Sequence, residues 1–295
     1  MGHEKRLNKA FENAAVLPVT PCSRYVFFSD CHRGRGNWND NFLKNQHLYF
    51  AALQHYFEKG FSYVEVGDGD ELWENRSMEQ IIEIHSNAFW MLARFYEQGR
   101  LHLLFGNHDM VKKDHRYTAQ TCSSYFCTEK QDTAPLFPGL AVQESYILED
   151  CMHGPLLYVT HGHQADLWNS TLWKLTRTLV RYVWGPLERI GFLDPTSAAK
   201  NYKVQKKTEE RLTAWARKHH RLLLCGHTHR PVLAAPDSPY FNAGSCVHPR
   251  CITCIELQCR QFTLVKWTMT SHKDGSLYVE REELTESVKI DDLLP

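Results

Sequence analysis

No stretch of this chain approaches 18 consecutive apolar residues, so no helix in it is expected to span a bilayer. A surplus of charge is missing too: 34 lysines and arginines meet 34 aspartates and glutamates. That balance gives no reason to expect a nucleic-acid coat or a polybasic tail. The first ten residues, Met1 to Ala10, hold no apolar run of the secretory kind, and Arg6 breaks the myristoylation pattern. Ten cysteines without such a leader are expected as reduced thiols, in a cytoplasmic setting. Internal repeats, low-complexity tracts and Gly/Ser linkers are also lacking, so residues 1–295 are expected to form a single domain.

What is present is an ordinary globular composition, 43% hydrophobic and 23% charged, together with 17 histidines. A local pattern recurs: a short apolar run that stops at glycine, histidine, aspartate or asparagine. It occurs at Tyr25–His32, Tyr63–Asp68, Leu101–Asp109, Leu156–His163 and Leu222–His229. Such runs bounded by glycine are expected as buried strands. Between them, Phe42–Lys59, closed by Gly60, and Met78–Gln98, followed by Gly99, have helical apolar spacing. The layout is therefore α/β, in which ligands gather at the carboxyl ends of the strands. After Gly244, three further strand-like runs are expected to form a closing β-meander that adds a second sheet, and the acidic stretch Glu282–Asp292 a solvated end.

The strand-end side chains are Asp30, His32, Asp68, Asn107, His108, His161, His227 and His229. Imidazoles, carboxylates and one amide oxygen suit a divalent ion such as manganese, iron or zinc. Their number exceeds the needs of one ion that keeps water positions open, and two ions sharing a carboxylate account for it better. One histidine at a strand end is ordinarily a loop residue; five strand ends all offering ligand-type residues are not a coincidence of that kind.

The elements Asp30-Cys-His32, Gly67-Asp68, Gly106-Asn107-His108-Asp109, His161-Gly-His163 and Gly226-His227-Thr-His229 resemble, in order, those of the calcineurin-like metallophosphoesterases. The resemblance implies a four-layer α/β-β/α sandwich and a hydrolase of phosphoric esters or diphosphates. It implies two divalent ions, manganese foremost, with iron or zinc as alternatives. One would be held by Asp30, His32, Asp68 and His229, the other by Asp68, Asn107, His161 and His227. A hydroxide shared by the ions would attack phosphorus. His108 would touch the phosphate or protonate the leaving group, with Asp109 holding its ring. Arg33, in Arg33-Gly-Arg35-Gly36, is a candidate phosphate grip, and His163 a candidate substrate contact. Asp70 and Glu71 are read as carboxylates supporting the histidines.

From His161 to His227 there are 66 positions, more than a crossover needs. Within residues 165–220 a helical insertion is expected. Trp168, Leu172, Leu175, Leu179, Val183 and Leu187 make an apolar stripe, continued at Ile190, and Tyr202–His220 forms a charged second helix. Residues 166–220 hold 11 Lys/Arg against 5 Asp/Glu. The insertion reads either as a packed hairpin or as a basic lid, with 165–193 a candidate for peripheral membrane contact. It is similar to the insertion of UDP-2,3-diacylglucosamine diphosphatases, which implies a phosphorylated small-molecule or lipid-linked substrate. Those enzymes often have Gly-Asn-Arg-Asp where this chain has Gly106-Asn107-His108-Asp109. A protein phosphatase, a cyclic-nucleotide phosphodiesterase and, least of all, a non-catalytic interaction module remain the alternatives. Cys251 and Cys254 form a C-x-x-C that suits zinc, but the segment reads better as a buried strand with small apolar cysteines.

Overall fold

The computed structural model describes residues 2–127, 131–170, 173–180, 182 and 202–293. In chain order the strands are β1 (Ala15–Val19), β2 (Arg24–Phe28), β3 (Ser62–Val66), β4 (Leu101–Leu104), β5 (Ser124–Cys127), β6 (Asp132–Pro135) and β7 (Ser145–Asp150). They continue as β8 (Gly154–Thr160), β9 (Leu222–Cys225), β10 (Tyr240–Asn242), β11 (Cys251–Gln258), β12 (Gln261–Ser271), β13 (Leu277–Glu283) and β14 (Val288–Lys289). One sheet runs β13-β12-β11-β2-β3-β4, with β14 beside β12, and the other β1-β7-β8-β9-β10. A hairpin, β5-β6, stands apart.

Alternating side chains explain the layers. On β2, Tyr25 and Phe27 join Val64, Leu148, Val159, Leu224 and Ile255 between the two sheets. Val26 and Phe28 point the other way, onto the helices Gln46–Glu58 and Ser86–Glu97. The far face of the second sheet offers Leu223, Cys225 and Tyr240 to Leu7 of the helix His3–Glu12 and to Leu212 and Trp215 of the helix Tyr202–Lys218. Helix, sheet, sheet and helix make the expected four-layer α/β sandwich.

Three expectations need correction. The meander does not add a second sheet: β11 pairs antiparallel with β2, Ile255 opposite Phe27, and so extends the sheet that holds β3 and β4. The second sheet is built instead by the hairpin β7-β8, flanked by β1 and by β9-β10, whose pairings with it lie far apart in sequence. Met78–Gln98 is two helices, Met78–Ile84 and Ser86–Glu97, broken at His85. There the imidazole is buried, with Nε2 2.9 Å from Asp40 Oδ2. The acidic end is not wholly solvated, since Ile290, which opens the short helix Ile290–Leu293 after β14, is buried in the core between the sheets.

Of the insertion, the helices Leu167–Ser170, Trp173–Leu179 and Tyr202–Lys218 are present. Residues 171, 172, 181 and 183–201, with Leu172, Val183, Trp184, Leu187 and Ile190, lie outside the described residues, and with them most of the candidate membrane contact. Among the described residues no helix is long and apolar enough to cross a membrane. What matters for function is that β2, β3, β4, β8 and β9 end side by side. Each hands its chain to one of the five motif loops.

Candidate metal centre

The loops hold unusual backbone. Asp30, His32, Asp68, His227 and His229 all adopt left-handed φ, between 48° and 67°. Each such residue costs on the order of 1–3 kcal/mol unless its surroundings enforce it. Here they do: Asp30 N–H donates to the Gly67 carbonyl at 3.1 Å and His32 N–H to that of Asp68 at 2.9 Å. Close approach adds a second constraint. A Cβ at Gly106 would run into the Asp68 carboxylate, so that position admits only glycine.

The result is a set of side chains each tied on one side and open on the other. Asp30 Oδ2 accepts from Ser29 Oγ at 2.6 Å and from His227 N–H at 2.9 Å, leaving Oδ1 facing His229 Nε2 at 3.0 Å. Asp68 Oδ1 accepts from His108 N–H at 2.8 Å, while Oδ2 lies 3.1 Å from His161 Nε2 and 3.8 Å from His32 Nε2. His161 Nδ1 donates to the Val66 carbonyl at 2.8 Å, which fixes the tautomer and turns the Nε2 lone pair inward. Three donor groups emerge among the described residues, Asp30–His32–His229, Asp68–His161–His227 and His32–Glu71–His108, and Asp68 Oδ2 reaches from the second towards His32 of the first at 3.8 Å.

The residues fit divalent cations by a direct test. Asn107 Oδ1, His161 Nε2 and His227 Nε2 are buried and have no hydrogen-bond partner among the described residues. An orphaned buried polar atom costs about 1–3 kcal/mol, and the donor atoms of Asp68, His161 and His227 lie within 4.8 Å of one another, close enough to share one ion. Charge agrees. Burial would raise the Asp30 carboxyl, but the neighbouring His229 and His161 hold it well below the usual carboxylate range. Burial would lower His161, yet Asp68 and Asp30 lift it to about 9. His227 drops to about 3, by burial and then by His161, so it keeps a neutral, ligating nitrogen. The carboxylates thus draw in positive charge from whatever source is at hand. Among the described residues, no group of this kind includes a cysteine; Cys254 is buried with Sγ 3.2 Å from Tyr56 Oη, as a strand residue.

His108 stands at the mouth, half-buried, with Nδ1 2.7 Å from Glu71 Oε2 and its ring stacked on Trp73 at 4.2 Å. Glu71 also reaches His32 Nδ1 at 3.0 Å. The expectation that Asp109 holds the His108 ring is therefore corrected. Asp109 turns into the protein, where Oδ1 accepts from Gly106 N–H at 2.7 Å and Oδ2 meets Lys112 Nζ at 2.8 Å. Arg33 is corrected as a phosphate grip. Its side chain is 1% exposed, with Nε donating to Asp70 Oδ1 at 2.7 Å and both Nη atoms to Glu65 at 2.8 and 3.0 Å. Asp70 binds Arg33 and Lys112, not a histidine. His163 is buried, its ring 5.6 Å from that of His161. Trp73 and Lys112 carried no signal in the sequence; Glu71 did, through its place in the Gly67–Glu71 run.

Fold and donor set define a two-sheet α/β sandwich with a candidate cation-binding centre at its strand ends. The chain belongs to the calcineurin-like phosphoesterase family, whose pattern matches residues 23–231 and so takes in all five motif loops. It is also similar in fold to Vps29 of Chaetomium thermophilum, at 12% identity over 92% of this chain and 99% of that one, with a TM-score of 0.37. No curated protein matches it in sequence.

Proposed function

We propose that the protein hydrolyses P–O bonds of a phosphorylated small molecule with two divalent cations, manganese foremost, in a cytoplasmic setting. One cation is held by Asp30, His32, Asp68 and His229, the other by Asp68, Asn107, His161 and His227. When bound, such ions supply Lewis-acid neutralisation of phosphate charge and a water activated near neutral pH. The chain's own residues do the rest. Val66 and Ser29 orient ligand atoms, and the buried walls keep the donor set dry. Glu71, on the Nδ1 side, holds the His108 imidazole and raises its proton affinity against burial, so Nε2 can offer a proton to the leaving oxygen.

The observation that carries this reading is the buried group Asp68, His161 and His227, whose donor atoms lie within 4.8 Å of one another and whose His227 Nε2 has no hydrogen-bond partner among the described residues. The test is hydrolysis of 4-nitrophenyl phosphate alongside metal content by elemental analysis. Asp68→Ala is expected to lose bound metal and about a thousandfold or more in rate. His108→Ala is expected to keep its metal and lose about a hundredfold. Wild-type protein that binds two ions yet spares phosphomonoesters, phosphodiesters and nucleotide diphosphates alike would overturn the reading.

A further inference from the structure

A cavity of about 690 Å³ is lined by His163, whose ring lies 5.6 Å from that of His161 in the metal centre. Its walls continue the site loops: His163 follows the ligand His161 by two residues, and Phe105 precedes Asn107 by two. Met110, Val111 and Tyr117, with Trp173 at the start of the insertion, complete an apolar side. The helix His3–Glu12 brings Arg6 and Lys9 to another side, where Lys113 also stands. Two carboxylates share the lining, and both are engaged. Asp114 Oδ1 accepts from Arg116 N–H at 2.9 Å, and Glu144 lies 4.0 Å from Lys113 and accepts from Gln164 Nε2 at 3.3 Å. His163 is 2% exposed, and its Nδ1 has no hydrogen-bond partner among the described residues.

This space is far larger than a phosphate group and falls within the range of organic ligand sites. The lining His163 ring stands 5.6 Å from the ring of His161, so a substrate whose phosphate is held at His161 can reach the cavity with its remaining part. Apolar walls with a few converging polar groups select by shape and fix orientation. Arg6 is buried and donates from Nε to the Gln164 carbonyl at 2.8 Å, so Lys9 and Lys113 are the lining cations placed to meet an anion.

We propose that this cavity is the specificity pocket for the organic part of the substrate, a phosphoester with an aromatic- or acyl-sized apolar body and a second negative group. The body lies on Phe105, Met110 and Trp173, the second anion meets Lys9 and Lys113, and His163 Nδ1 makes a hydrogen bond to the organic part. This rests on the hydrolase reading above, so the test separates the two. Three phosphonates that resist hydrolysis are titrated calorimetrically into the full-length, metal-loaded protein: methylphosphonate, 2-naphthylmethylphosphonate and its 6-sulfo derivative. The corresponding phosphate esters are assayed for turnover.

Binding is expected to tighten about tenfold at each step of the series. Val111→Trp, which pushes a ring into the cavity from its apolar side, is expected to abolish the first step, and Lys9→Glu with Lys113→Glu the second; thermal melts confirm folding of each variant. Equal binding of all three probes, or steps that survive in the folded variants, would overturn the pocket while ester turnover kept the hydrolase reading intact. Turnover of no ester, with both steps present, would remove the hydrolase reading and leave the pocket standing.

Discussion

Two clusters of buried charge lie within a few residues of each other in this chain, and they are built on opposite principles. In the first, Arg33, Glu65, Asp70, Asp109 and Lys112 satisfy one another: two cations are threaded among three carboxylates through ion pairs of 2.5–2.8 Å. In the second, the metal centre, Asn107 Oδ1 and His227 Nε2 are buried with no hydrogen-bond partner among the described residues, and His161 Nε2 meets only the Asp68 carboxylate. Burial of charge is common to both, so burial alone does not mark function. What marks it is the unmatched lone pair. A closed ion-pair network holds the fold at its own desolvation cost, whereas an open donor set is complete only with a ligand.

The contrast can be broken by experiment. Its largest consequence concerns Arg33. Arg33→Ala leaves Glu65 buried without its cation and Asp70 with Lys112 alone, and is expected to lower unfolding free energy by about 3–5 kcal/mol, with or without chelator. Denaturant titration reads this directly, and a loss below about 1 kcal/mol would put Arg33 outside the structural cluster. Glu71→Gln comes next, because Glu71 belongs to the centre. It is expected to lower kcat about 10–100-fold, by loosening His108 and His32, while the denaturation midpoint stays near that of wild type. A midpoint that collapsed with full kcat retained would place Glu71 with the structural set.

The smallest effect is acid. In the folded protein burial would raise Asp70, but Arg33 and Lys112 bring it down to about 2, against about 3.9 in an unfolded chain. Its stabilisation is therefore full above pH ~4 and drains away as pH falls towards 2, amounting to about 2 kcal/mol. Urea unfolding of chelator-treated protein across that window should show the fall, and Asp70→Asn should shrink it. An unchanged pH profile in that variant would mean that the pairs contribute nothing net.

Much of the centre was legible in the chain because its donors sit at strand ends, where a glycine or a histidine follows an apolar run whatever the sheets do next. The strands at Tyr25, Tyr63, Leu101, Leu156 and Leu222 stand where their apolar runs placed them. Arg33 and Asp109 were misjudged for a shared reason. Each is adjacent to a ligand in sequence, but neighbouring side chains on an extended or turning backbone diverge, and these two turn inward to buried partners. Glu71 could be suspected from its motif, yet nothing local showed that it reaches both His32 and His108.

The sequence by itself determined which residue types stand at the ends of the buried runs, and hence that oxygen and nitrogen donors are available in number. Local spacing carries that, because strand, turn and the next side chain are set within a few residues. Tertiary structure alone decided which donors remain open. Whether a carboxylate is neutralised by arginine or left facing an imidazole depends on partners 30 to 200 residues away, and in those pairings the closed cluster and the open one part company.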